Sequence, residues 1–368
     1  MAPNAFKGSL TAAQAASAMT AGVRRAFPAA TTITRPIADG GDGSVDALVS
    51  AGYERLAIEV RGPTGLPVSA AMARSGSTVV VEIANTCGLL LLPEGILEPL
   101  GASSAGLGDA VRSALDSGAD HVVICLGGSS STDGGAGLLS ALGAVLLDDD
   151  GTTIDACGAG LLRVAVLDLS RLDHRIGTTR FTVATDVTTP LLGPDGAAAV
   201  FGPQKGATPD DVALLDAGLT RWADALAQAT GRDEAGRPGS GAAGGTGVAA
   251  LAALDAHLVS GAALVAEAIG LSDAIDGADL VVTGEGALDR QSTLGKGALA
   301  VVDLARSGGA DAILVCGRID LTADELLERG VTSWASLAGR DRDTMGRAAD
   351  LVAAATAEAL ARWSTTAS

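Results

Sequence analysis

Three times along this 368-residue chain a short strand-like run breaks into a glycine-rich loop and then resumes as a helix-like segment. Residues 32–37 run into Ala38-Asp39-Gly40-Gly41-Asp42-Gly43-Ser44, followed by helical spacing over 45–51. Residues 121–126 run into Gly127-Gly128-Ser129-Ser130-Ser131-Thr132-Asp133-Gly134-Gly135, followed by 136–147. Residues 280–283 run into Gly284-Glu285-Gly286-Ala287-Leu288-Asp289, followed by 295–306. Strands of four to six apolar residues alternating with helices predict an α/β fold with a parallel core. In the second and third cases a strand, a glycine loop and a helix N-terminus follow one another, an arrangement whose amides and dipole attract anions.

The remaining pattern is consistent with more than one domain, as the length suggests. Residues 55–61, 66–73 and 78–83 read as three strands joined by the turn signals Gly62-Pro63-Thr64-Gly65 and Ser75-Gly76. This meander differs from the βαβ texture around it and marks the start of a second domain. Thr11 with Gln14 forms a capping box for a helix over 11–27. Further helices are expected over 106–117, 210–228, 248–256 and 344–363, further strands over 181–185 and 312–316, and a loop over 231–247.

The net charge of −18 excludes attraction to nucleic acid or anionic membrane by the overall field. No apolar run reaches the roughly 18 residues that span a bilayer, and residues 1–20 contain no signal-peptide core. The four cysteines and three histidines are scattered, without a C-x-x-C pair, so neither zinc nor disulfides are expected. The reading is a cytoplasmic protein; homo-oligomerisation is left open.

An acidic chain that binds an anion needs local positive charge, and lysine usage locates it. Only Lys7, Lys205 and Lys296 occur among 25 basic residues, and each is followed by glycine. Lysine is a compact charge on a flexible stem, suited to a phosphate oxygen in a tight pocket, where the wide arginine fork fits badly. Carboxylates cluster in the same loops: Asp39, Asp42, Asp133, Asp186, Glu285 and Asp289. Phosphoryl transfer uses such groups to hold Mg²⁺ and to accept a hydroxyl proton. Two familiar motifs are rejected. A Walker A loop needs glycine where Arg290 stands, and the Gly239-Ser240-Gly241-Ala242-Ala243-Gly244 match to the dinucleotide fingerprint lacks a preceding strand.

The segments Ala2 to Ser9, Ala38 to Gly43, Ser103 to Gly108, Gly127 to Gly137, Asp186 to Leu191, Phe201-Gly202-Pro203-Gln204-Lys205-Gly206-Ala207, Gly241 to Gly247 and Gly284 to Lys296 together resemble the type I bacterial glycerate kinase family. The resemblance implies a flavodoxin-like parallel-sheet domain built from both termini (1–54 plus 276–368), an inserted α/β domain (55–275) and an active site in the cleft between them. It also implies ATP, Mg²⁺ and glycerate, with 2-phosphoglycerate as the expected product, in organic acid metabolism. Residues expected to act chemically are Lys7, Asp39, Asp186, Lys205, Asp289 and Lys296. Those expected to bind nucleotide are Ser9, Gly40, Gly41, Ser103, Ser104, Gly127, Gly128, Ser129, Asp133, Gly284 and Gly286. Asp186 and Glu285 are the expected metal ligands. Asp186 and then Asp39 are the leading candidates for the base, an order the sequence does not decide. A kinase of another small sugar acid, and an inactive ligand-sensing relative, are the rival readings.

The chain departs from the family at Asn4 and Ala5, where Asp and Ser are usual, and at Asp42, Ser44, Ser131-Thr132 and Thr189. The family also begins with an apolar strand before Ala-Pro, whereas Met1 stands there here. An interior strand lost from a sheet leaves both neighbours with unpaired backbone groups. The expectation is a polypeptide that starts upstream, or a fold less stable than that of its relatives. Appending five to seven apolar residues should raise the melting temperature; an unchanged value counts against this.

Overall fold

The computed structural model describes residues 1–6, 8–289, 297–340 and 346–366. The chain forms two compact units. One comprises Gly40–Val45 and Tyr53–Gly261; the other comprises Met1–Asp39, Asp46–Gly52 and Ala262–Ser368. Among the described residues, no helix is long and apolar enough to cross a membrane.

The first unit is built on one six-stranded sheet. The expected meander is present as β1 (Glu54–Arg61), β2 (Pro67–Ser75) and β3 (Thr78–Glu82), paired antiparallel in succession. From β3 the sheet turns parallel, through β4 (His121–Cys125), β5 (Arg180–Ala184) and β6 (His257–Val259). The sequence records this change. β1 keeps charged residues on its exposed face, whereas the valine-rich runs of β3 and β4 are almost continuously buried, as strands covered on both faces must be.

The helix Pro209–Thr230 has Thr208 and Asp211 as a reciprocal capping box, proline in its first turn and Gly231 in the left-handed conformation after its end. Its Trp222 is fully buried beside Leu219 and Leu226. With so few aromatics, the core is otherwise filled by Leu, Ile, Val and Ala, among them Leu107, Ile124, Leu138 and Leu139. Each fully buried side chain of that size stabilises the fold by ~1.5–3 kcal/mol.

Two expectations are corrected here. The helix expected over 136–147 ends as Ala136–Ala141; Gly143 takes φ +109° against the Arg171 carbonyl, and Val145–Leu147 pairs antiparallel with Val166–Asp168. A short apolar run carries no periodicity strong enough to separate helix from strand. The loop expected over 231–247 closes earlier, because the helix Ala242–Ala253 starts within it through three left-handed residues, Ala243, Gly244 and Gly245.

The second unit contains the parallel strands β7 (Leu280–Thr283), β8 (Asp311–Cys316) and β9 (Val331–Ser336), ordered β9-β8-β7. The capped helix appears as Ala12–Ala26 and packs on Ala348–Thr366. The approach is close: a Cβ on Gly22 would stand 2.5 Å from the Ala353 carbonyl oxygen.

Met1 to Asn4 run beside β7. Ala2 and Asn4 donate to the Val282 and Gly284 carbonyls, while Arg35 and Ile37 donate to those of Met1 and Pro3. Residues 32–37 are therefore extended and partly paired, without forming a regular strand. The neighbours of the expected interior strand are not left bare along these four residues. A cavity of about 890 Å³ opens next to Met1, lined by Ile33, Leu271, Val281, Leu360 and Trp363 among others.

Candidate active site

In an open α/β sheet, ligands bind beyond the carboxyl ends of the parallel strands. In the Gly40–Gly261 unit those ends carry Glu82 as the last residue of β3, residues 126–133 after β4, Thr185 and Asp186 after β5, and Ser260 after β6. Residues 40–45 lie across them. Glycine makes this approach possible. A Cβ on Gly40 would stand 2.5 Å from Gly261 Cα, and one on Gly127 would stand 2.6 Å from Gly41 Cα. Glu82, 2% exposed, fixes the crossing segment by accepting the amides of Gly43 at 3.0 Å and Val45 at 2.9 Å. Ser260 Oγ donates to Asp186 Oδ1 at 2.8 Å, which orients that carboxylate.

The loop after β4 is held from several sides. The Gly128 carbonyl accepts from Leu89, and Ser130 Oγ donates to the Cys87 carbonyl at 2.8 Å. Asp133 is fully buried and accepts from the Ser104 amide (2.7 Å), Ser104 Oγ (2.8 Å), the Gly135 amide (3.1 Å) and the Gly137 amide (3.2 Å). Burial pushes the Asp133 carboxyl up and these donors pull it back. Among the described residues, no protein acceptor takes the amides of Gly127, Gly128 or Ser129, and Gly128 is left-handed at φ +74°. Successive free amides of this kind suit a phosphate.

The residues singled out from sequence therefore fall into groups. Gly40, Gly41, Gly127, Gly128, Ser129 and Asp186 share the strand-end cluster. Ser103, Ser104 and Asp133 point inward: Ser103 Oγ donates to the Ala156 carbonyl at 2.7 Å, and Ser104 Oγ accepts the Leu138 amide at 2.9 Å. Lys205 is 2% exposed, and its ammonium donates to the Ser131 carbonyl and Thr132 Oγ1.

In the other unit Asp39 is exposed, and Asp289 and Glu285 are half-buried. Ser9 Oγ donates to the Phe6 carbonyl, and the Gly286 carbonyl accepts from Arg318. Gly284 passes the Val315 carbonyl so closely that a Cβ would fall 1.7 Å from its oxygen. Asn4, the departure from the family pattern, accepts the Ala5 amide on Oδ1 at 2.7 Å. Lys7 and Lys296 lie outside the described residues, so the expected meeting of three lysines concerns residues of which only Lys205 is described. Among the described residues no three metal-ligating side chains gather.

Sequence reasoning missed Glu82, Ser260 and Trp222. Glu82 had a signal, a charge directly after three buried valines; Ser260 had none beyond its place between a strand and Gly261.

Residues 1–364 match the model of the glycerate kinase family. The chain belongs to that family. It is 41% identical to the glycerate kinase of Bacillus subtilis (strain 168) over 340 residues, 92% of this chain and 89% of that one. It is also 41% identical to the glycerate 2-kinase of Escherichia coli (strain K12) over 323 residues, 87% and 84% of the two chains. Among solved structures, a candidate glycerate kinase 2 from Salmonella typhimurium LT2 superposes with a TM-score of 0.81 at 38% identity, covering 100% of this chain and 98% of that one. The mixed α/β architecture with mainly parallel strands is thus that of a glycerate kinase relative.

Within this family member the four donors on Asp133 yield a stability prediction. Asp133→Asn keeps the shape but turns an NH₂ toward buried donors, leaving at least one without a partner. A cost of ~1–3 kcal/mol is expected, read from urea midpoints. A midpoint equal to the parent's would remove Asp133 from this role.

Proposed function

We propose that this chain transfers the γ-phosphoryl group of ATP to glycerate, giving ADP and 2-phosphoglycerate. The observation that carries the reading is the strand-end cluster in which the Gly127, Gly128 and Ser129 amides and the Asp186 carboxylate come from adjacent parallel strands. Family membership supplies the substrate class, and the name of the Escherichia coli relative, glycerate 2-kinase, favours the 2-hydroxyl.

In this reading the glycerate hydroxyl oxygen attacks the γ-phosphorus in line. The new O–P bond forms as the bond to the β,γ-bridging oxygen breaks, and ADP leaves with that electron pair. Asp186, held by Ser260, takes the hydroxyl proton; Asp39 is the residue it displaces from that role. The amides of Gly127, Gly128 and Ser129 donate to phosphoryl oxygens whose charge grows in the transition state.

Mg²⁺ takes one or two carboxylates together with phosphate oxygens and water, so a cluster of three protein ligands is not needed. The family resemblance names Asp186 and Glu285 for this role, and each would supply one carboxylate from its own unit. When bound, the ion supplies charge neutralisation that a chain of net charge −18 lacks.

The test is an ADP-release assay with D- and L-glycerate, tartronate and larger aldonic acids, followed by phosphorus NMR of the product. One glycerate enantiomer should dominate, with phosphate on carbon 2. Asp186→Asn should lower kcat by ~10²–10⁴, more than Asp39→Asn does. Release of ADP with no glycerate dependence would overturn the reading.

A further inference from the structure

Lys205 is the least expected of the sequence-derived site residues in its placement. It ends the one-turn helix Pro203–Lys205, next to the left-handed Gly206, and its side chain runs into the protein. Two pieces of chain meet around its ammonium. The loop after β4 presents the Ser131 carbonyl and Thr132 Oγ1, both bonded to the ammonium, the second at 3.5 Å. The same loop supplies Asp133, whose carboxyl raises the Lys205 pKa against the effect of burial. The left-handed turn 243–245 closes the other side: a Cβ on Gly244 would stand 2.8 Å from Lys205 Nζ and 2.0 Å from the Ser131 oxygen. That turn brings no ionisable side chain. It also receives the loop, since the Gly134 amide donates to the Gly244 carbonyl, and Trp222 Nε1 donates to the Gly134 carbonyl at 2.8 Å.

An ammonium buried this way cannot be explained as surface charge, and no substrate oxygen is needed to account for its bonds. We propose that Lys205 is a positioning residue: by gripping the Ser131 carbonyl it holds residues 127–133 in the conformation that presents the Gly127, Gly128 and Ser129 amides to an anion. Here we deepen the reading under Proposed function and rest on it for the identity of the anion, a nucleotide phosphate. Arginine would not substitute, because its planar fork is too wide for the space between Ser131 and Gly244.

The buried charge gives the grip a pH signature. Burial lowers the Lys205 pKa from 10.5 to about 8, against the pull of Asp133. Below pH 8 the ammonium makes a charge-assisted bond to the carbonyl; above it a neutral amine makes a weaker one. Linkage sets the net sense. Any opening that returns the amine to water restores its ordinary pKa, so between pH 8 and 10.5 both the unfolded chain and the locally opened loop keep a proton that the closed loop has lost. Positioning therefore predicts that protection of the loop and global stability rise together over this pH range. A side chain that merely fills space moves neither.

The experiment compares the full chain with Lys205→Met. Hydrogen exchange of residues 127–137, corrected for intrinsic rates, should slow above pH 8 in the parent, and Lys205→Met should exchange fast throughout. KM for ATP should rise tenfold or more in Lys205→Met while kcat changes less than threefold. Exchange in this segment that is independent of both pH and the substitution overturns the proposal, as does a loss confined to kcat, which would place Lys205 at the reacting atoms. Should Lys205→Met not fold, the pH course of exchange in the parent and in Thr132→Val decides alone, with the inflection near pH 8 expected in the parent and its absence overturning the proposal. Absence of ADP release by the parent would refute the kinase reading, whereas the exchange data would still judge the role of Lys205.

Discussion

Backbone lying against backbone is the constraint on which the candidate site depends. Gly40 and Gly41 cross the ends of β4, β5 and β6 at distances that leave no room for a Cβ on Gly40 or Gly127. The crossing segment cannot stay there by packing, since it has few side chains to bury. Glu82 holds it through two amides, and the enclosed position of that carboxylate makes each bond stronger than it would be in water. The glycine-rich composition is thus less a sign of flexibility than a requirement for stacking several loops in the space of one.

The strand-loop-helix alternation was legible because its signals are local. Thr11 with Gln14, and the meander turns at 62–65, each specify their geometry within a few residues. The short elements were not legible. Ala136–Ala141 stops where Gly143 meets the Arg171 backbone, and the first turn of Ala242–Ala253 is left-handed because it must clear the Ser131 carbonyl. Both causes lie far away in sequence. The site divided in the same way. Glycines and Asp186 could be named from their loops, but the inward direction of Ser103, Ser104, Asp133 and Lys205 depends on helices packed behind the loop after β4.

The acidity of the chain bears on the same point. A net charge of −18 sets a repulsive field for glycerate and for a nucleotide alike. In the Gly40–Gly261 unit the described counterweight is mostly backbone: amides at strand ends, arranged by buried polar side chains that do not themselves reach outward. Lys205 and Asp133 contribute from behind, as one buried ammonium and one buried carboxylate acting on a shared loop. Such a design tolerates an acidic surface because its dipoles are short-ranged and fixed in direction.

The scarcity of aromatic residues has an optical consequence. Of the three tryptophans, Trp222 alone belongs to the Gly40–Gly261 unit, fully buried with its indole on Gly134. Trp334 and Trp363 belong to the other unit, where Trp363 bonds Asp311 and meets the ring of Phe27 edge-on. Trp334 and Trp363 are partly exposed, so the emission of that unit should lie to the red of the shielded Trp222. Loss of each half during unfolding can be followed as a separate colour, without any label.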